Sequence, residues 1–446
     1  MLLALIMLLL AVGLIVFSTT RWQLHPFLAL LAAALLFGLG SGMPLPLLVS
    51  ALKEGFGGTI GNVGIIIIAG TAIGVFLERS GGAYAIAEAV LRRIGRQRVP
   101  ASMSLIGYLT SIPVFADSGF VILQSLNRAL TRRAGLSLAT TSVALCFGLM
   151  VAHTLIPPTP GPIVTAEALS ADLGLVMAIA APVSLLVLAF SWLWATRIAS
   201  RIAIEASADV DDAEIEARLR QAPSAARAFL PILLPLLLIM LGSISKLPIA
   251  PFGTGSSAAL LQFIGDPVIG LLIGLLLALT LPQRFDRQML SQSGWMGEAI
   301  ASAAFIILIT GAGGAFGKVL QQSGMAQGLG ALMSGWGLGL LLPFAISAAI
   351  RAAQGSATVA MITTAGLVAP LLPALGLDSE LGRALAVVAI GSGGFFASHA
   401  NDSFFWVVTQ LTGLSPAQGY RVITTGSSLM AVLSGTLVWG LGQALL

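Results

Sequence analysis

The sequence predicts an all-α polytopic membrane protein made of two inverted-topology repeats, each with a re-entrant helical hairpin and a broken transmembrane helix. Three observations predict it: apolar blocks of membrane-spanning length, one charged stretch near the middle of the chain, and an uneven placement of arginines around two interrupted segments.

Of the 446 residues, 57% are hydrophobic and 9% charged, against roughly a quarter charged in soluble domains. That leaves too little polar surface to cover a water-soluble globule and excludes a soluble enzyme. The apolar residues fall in blocks such as 1–18, 60–77, 174–195 and 229–245, each able to cross a hydrocarbon core of about 30 Å as a helix. Roughly 10–12 membrane spans follow from blocks of this length. Continuous runs such as 65–68 and 271–277 contradict the alternating pattern of a β-barrel, and helices are the remaining way to satisfy the backbone in lipid. The net charge of +4 comes from arginines in short loops, where they orient the chain, so no nucleic-acid partner is expected. Cys146 is the single cysteine, which excludes an intrachain disulfide and a Cys-rich metal site. The first block lacks a basic leader and a small-residue cleavage pattern, and Arg21 follows it. It reads as a retained span with the N-terminus outside.

The charged stretch, 197–228, carries Glu205, Asp209, Asp211, Asp212, Glu214, Glu216, Arg218 and Arg220. It reads as a cytoplasmic linker between a first half, 1–196, and a second, 229–446. The halves resemble each other: placing Ser80-Gly81 on Ser323-Gly324 also puts Gly70 on Gly313 and Gly74 on Gly317. Small residues at this spacing allow close helix approach. Downstream, each half has an interrupted apolar segment (111–119; 351–356) and then a span with a histidine (His153; His399), which points to a duplication.

Charge placement inverts the second copy. Loops 79–98 (Arg79, Arg92, Arg93, Arg96, Arg98) and 128–133 (Arg128, Arg132, Arg133) are both basic and both cytoplasmic by the positive-inside rule. The segment between them, about 100–127, must enter and leave on one side, as a hairpin with its tip near Pro113, Asp117 and Gly119. Its counterpart, about 337–372, is flanked by 321–335 and 373–380, which lack positive charge, and should open from outside. Broken helices at about 138–173, interrupted by the proline run 157–162, and at about 383–412, interrupted at 399–402, would complete a midplane site.

An ionisable residue within the membrane is costly and marks function. Asp117 suits a proton carrier, a cation ligand or a helix cap. Arg351 suits the anchor of an organic anion, an arginine snorkelling to a membrane surface, or a partner of an internal acid such as Asp402. Gln354, Gly355, Ser356 and Thr358 beside it can offer an anion N–H groups and hydroxyls. His153 and His399 each suit a proton relay or a structural donor. Glu167, Asp172 and Glu298 read as surface residues. No H-E-x-x-H, G-x-S-x-G or Walker A pattern occurs, so neither a metal site, an intramembrane hydrolase nor an ATP-driven cycle is expected.

Four segments, IPVFADSGFVIL, AHTLIPPTPGPIVTAEALSADLG, RAAQGSATVAMITTAGLVAP and ASHANDSFFWVV, resemble in order the signatures of the gluconate:proton symporter (gluconate permease) family, within a larger ion-transporter superfamily. The resemblance runs from about residue 70 to the C-terminus. It implies import of gluconate or related hydroxy acids across the inner (cytoplasmic) membrane, a homodimer, and an elevator cycle. It places Asp117, Ser118, His153, Gln354, Gly355, Ser356, Thr358, Ser398, His399, Asn401, Asp402 and Ser403 along the site. Thr159 and Phe404 depart from the family pattern, which often has His and Gly there, and point to a shifted substrate preference. The expected roles are these: Ser118, Ser356 or Arg351 with hairpin N–H groups for the carboxylate; Asn401, Gln354 and Thr358 for hydroxyls; Asp117 or Asp402, through a histidine, for the proton. No cofactor is expected. Sodium coupling, with Asn401, Asp402 and Ser403 as cation ligands, is the nearest alternative, and a passive anion channel a more distant one.

Overall fold

The computed structural model describes residues 2–94, 98–206, 220–246, 251–253, 255–323 and 338–446, and every regular element among them is helical. The first half contains α1 (Leu2–Arg21), α2 (Pro26–Gly40), α3 (Leu45–Arg79), α4 (Gly82–Ile94), α5 (Val99–Ser111), α6 (Ala116–Ala134), α7 (Leu138–Leu155), α8 (Pro160–Ala168) and α9 (Leu173–Arg197). The second contains α10 (Ala225–Ser245), α11 (Ser256–Ile264), α12 (Pro267–Ala278), α13 (Trp295–Gln322), α14 (Leu341–Gln354), α15 (Ala357–Val368), α16 (Glu380–Gly393), α17 (Ser403–Thr412), α18 (Pro416–Gly419) and α19 (Thr425–Leu445). Arg96, Gly324, Gly337 and the linker residues Asp209, Asp211, Asp212, Glu214, Glu216 and Arg218 lie outside the described residues.

Among the described residues six helical stretches are long and apolar enough to cross a membrane, and seven if the bent pair α11–α12 forms one span. Further apolar helices are shorter. They include α2, α14 and α15, below the about 20 residues of a full crossing. α5 and α6 pack against each other around the turn at 112–115, as do α14 and α15 around Gly355-Ser356. These are the two hairpins. The proline-rich stretch 156–159 separates α7 from α8, because prolines lack the donor a helix interior needs, and 394–402 separates α16 from α17.

The longest helices, α3 and α13, pack along each other. Close approach sets that interface: a Cβ on Gly55 would lie 2.5 Å from the Gly314 carbonyl oxygen. The paired glycines further along face the hairpins and breaks. A Cβ on Gly74 would meet the Pro113 carbonyl oxygen at 2.2 Å, one on Gly70 that of Pro158 at 3.1 Å, and one on Gly317 that of Gly366 at 3.0 Å. Hydroxyls tie each hairpin and broken helix to its neighbours, as polar side chains do in membrane bundles. Tyr108 Oη pairs with Ser184 Oγ at 2.7 Å and Ser104 Oγ with Ser191 Oγ at 3.2 Å, joining α5 to α9; Ser392 Oγ and Ser434 Oγ, 2.7 Å apart, join α16 to α19.

The halves exchange partners. The second arm of the first hairpin, α6, packs on α17, and the second arm of the other hairpin, α15, packs on α8. The start of the charged linker is part of this body: Ser137 Oγ donates to the Ile202 carbonyl at 2.5 Å and Leu138 N to that of Ile204 at 2.9 Å, with Ala199 and Ile202 buried.

Candidate functional site

A cavity of about 400 Å³ opens where both hairpin tips meet the second helix break. The first tip contributes Phe115 and Asp117, α7 contributes Met150, His153 and Thr154, and the second tip runs from Arg351 to Val359. Asn401, Asp402, Ser403 and Phe404 close it from the break, and Ser302, Phe305, Ile306 and Ile309 wall it from α13.

The second tip is held by charge. Arg351 Nη2 lies 2.5 Å from Asp402 Oδ2, with the two side chains 3% and 6% exposed. Arg351 Nη1 donates to the Gly355 carbonyl oxygen, so one guanidinium braces its own tip and the break at once. Asp402 is further engaged: Ser398 Oγ donates to Oδ2, and the Phe404 N–H donates to Oδ1 at 3.0 Å, capping α17. The last carbonyls of a helix lack intrahelical partners. Ala352 in α14 receives His399 Nε2 at 2.9 Å and Asn401 Nδ2 at 2.8 Å. Gly355 has φ +88°, and a Cβ there would fall 2.1 Å from the Asn401 carbonyl oxygen, so the tip conformation and the approach of the break both require glycine.

Three helix N-termini end at the cavity. α15 starts after Ser356, whose Oγ accepts from Val359 N at 3.3 Å; α17 starts after Asp402; α6 starts after Phe115. Helix N-termini expose N–H groups and a partial positive charge, which favour an anion. Asp117 sits in the first turn of α6, where its Oδ1 lies 3.5 Å from Ser403 Oγ, and no cation lies within ion-pair distance of it among the described residues. His153 Nε2 lies 3.5 Å from Thr358 Oγ1, and its buried Nδ1 has no hydrogen-bond partner among the described residues. The Phe115 ring stands 6.0 Å from the imidazole, and Phe404 packs edge-on against Phe120 at 6.1 Å. Gln354 Nε2 donates to the Ser356 carbonyl oxygen at 2.9 Å, stiffening the tip.

The structure therefore gathers Asp117, His153, Arg351, Gln354, Gly355, Ser356, Thr358, Asn401, Asp402 and Ser403 around one cavity. Ser118 and His399 lie outside its wall, as does Thr159, whose Oγ1 donates to the Ile156 carbonyl at 2.7 Å. The α13 wall was not foreseen. Its residues 302, 305, 306 and 309 fall on one helical stripe, but α13 is almost wholly apolar from Ala299 to Ala315 and the stripe does not stand out. Glu298 pairs with Arg79 at 2.7 Å, both partly exposed, which agrees with a membrane-surface position. Among the described residues no group of three or more His, Cys, Asp or Glu is placed to hold a metal ion.

A cavity that gathers charged and hydroxyl side chains at hairpin tips and helix breaks, inside an apolar helical bundle, defines a multi-pass membrane transport protein. The model of the GntP family permeases matches residues 3–444, and the chain belongs to that family. It is 35% identical over 429 residues to a gluconate permease of Pseudomonas aeruginosa, covering 95% of this chain and 93% of that protein. It is 32% identical to the D-serine transporter DsdX of Escherichia coli strain K12, covering 97% of both chains. Among solved structures, the YdaH transporter of Alcanivorax borkumensis shares the fold, with a TM-score of 0.70 at 16% identity over 95% of this chain and 99% of that one.

Proposed function

We propose that the protein is a proton-coupled importer of gluconate or a related small hydroxy acid in the inner (cytoplasmic) membrane. One observation carries the reading: Arg351 and Asp402 neutralise each other, while Asp117 faces the same cavity with no counter-ion within ion-pair distance among the described residues. A carboxylate there repels an incoming anion, and a protonated acid does not. Binding a proton and binding the substrate are thereby linked. The substrate carboxylate is received by the N–H groups at the start of α15 and α17 with the Ser356 hydroxyl, and its hydroxyls by Gln354, Thr358 and Asn401. His153 relays the proton. Asp402 and Arg351 keep the tip in place, and His399 acts as a donor to the α14 carbonyls. No cofactor takes part. The similarity to both a gluconate permease and a D-serine transporter supports a small polar carboxylate as the substrate class.

The cycle is an elevator. Support comes from a second cavity, of about 450 Å³ and more polar than the first, lined by Gly314, Gly317, Lys318 and Gln321 of α13 and by the far ends of α8 and α15. It lies about 18 Å along α13 from the first, at about 1.5 Å per residue over the interval from Ser302 to Gly314. Sliding the hairpins along the α3–α13 pair carries the site from one face to the other. The assembly is a homodimer.

The test is uptake of radiolabelled gluconate into proteoliposomes with pH and sodium gradients imposed separately. Accumulation driven by inward protons alone is the expected result. Accumulation under sodium alone would overturn the coupling, and uptake that never exceeds equilibrium under either gradient would overturn the active mechanism.

A further inference from the structure

Away from the transport cavity, a groove of about 490 Å³ runs between α4, α5 and α10. Its walls are Leu105 and Leu109 of α5 with Phe229 and Leu233 of α10, and Arg93 stands at its rim. A polar mouth adjoins it, sharing Ala89 and Ala225 with the groove and adding Glu88, Arg92 and Ser224. The basic loops put this end of the molecule in the cytoplasm. On α10 the groove runs from Ala225 to Leu233, about 12 Å at about 1.5 Å per residue, and on α5 it reaches Leu109. That is most of the depth of one leaflet of a core about 30 Å thick.

The charges at the mouth are not equivalent. Arg92 is held by Glu88 through an Nε to Oε1 contact of 3.0 Å. Arg93 is exposed and has no carboxylate within ion-pair distance among the described residues. An exposed cation with no carboxylate partner among the described residues, leading into an apolar slot most of a leaflet deep, is complementary to an anionic headgroup with its acyl chain.

We propose that this groove binds one anionic phospholipid of the cytoplasmic leaflet, with its phosphate on Arg93 and one acyl chain along Leu105, Leu109, Phe229 and Leu233. The lipid fills the space between the first hairpin and α10. It covers the side of α5 that protein leaves partly open.

Native mass spectrometry tests this on the full-length protein, extracted from vesicles of phosphatidylethanolamine and phosphatidylglycerol and washed stepwise in detergent. The expected result is one phosphatidylglycerol retained in preference to phosphatidylethanolamine. Arg93→Gln should lower that retention at least fivefold, and Arg92→Gln should change it less than twofold. Leu109→Trp, which fills the slot, should lower retention of both lipids. Equal phosphatidylglycerol retention by the wild type and Arg93→Gln overturns the proposal. So does full retention by Leu109→Trp, because the chain would then lie elsewhere. Thermal unfolding in the same detergent reports whether each variant is folded, and loss of lipid from a variant with unchanged unfolding temperature counts in favour.

Discussion

Removing one partner of the Arg351–Asp402 pair should destabilise the protein far more than removing both. The two side chains are 3% and 6% exposed and 2.5 Å apart, so neither charge can be hydrated once the other is gone. Two unit charges about 4 Å apart attract by about 4 kcal/mol at an effective dielectric constant of about 20, and breaking buried pairs costs about 3–5 kcal/mol. Arg351→Met also leaves the Gly355 carbonyl without its donor, which adds about 1–3 kcal/mol. Asp402→Asn keeps an oxygen for the cap on Phe404 N but strands the guanidinium. In Arg351→Met/Asp402→Asn no buried charge remains, so its loss should fall short of the summed single losses by about 3 kcal/mol. Reversible unfolding in mixed micelles, followed by tryptophan fluorescence for all four proteins, measures the coupling. Additive single losses, or a loss below about 1 kcal/mol for Arg351→Met, would refute the brace and return Arg351 to the role of a free anion anchor.

Two further outcomes follow from the geometry. Asp117→Asn should abolish accumulation driven by a proton gradient while leaving counterflow of preloaded substrate within about tenfold of wild type, as measured in the same vesicles; persistent uphill transport would remove Asp117 from coupling. Gly74→Ala puts a methyl 2.2 Å from the Pro113 carbonyl oxygen and should destabilise by about 1–3 kcal/mol, with uptake reduced, whereas Gly57→Ala, which meets nothing within 4 Å, should unfold as the wild type does.

Much of the site is legible in the sequence because the membrane makes charge scarce. With 40 charged residues in the chain, Asp117, Arg351 and Asp402 stand out among apolar neighbours, and all three line the cavity. What is not legible depends on direction. Ser118 follows Asp117, but consecutive residues in a helix point about 100° apart, and the α6 turn that aims Asp117 inward turns Ser118 away. Whether Arg351 holds a ligand or Asp402 could not be decided from spacing, since 51 positions separate them and only the fold brings them together.

The exchange of partners between halves fixes an order of events during synthesis. α6 and α8 are delivered to the membrane early, but their partners α17 and α15 belong to the second half, with α8 ending at Ala168 and α15 beginning at Ala357. At about 5–20 residues per second the wait is on the order of ten seconds or more. Throughout it, the newly inserted first half shows the lipid two helices whose packing faces have no mate. The completed cavity is consequently among the last features to form, and a ribosome that stalls in the linker leaves behind a membrane-bound species that cannot transport and is recognisable by those two open faces.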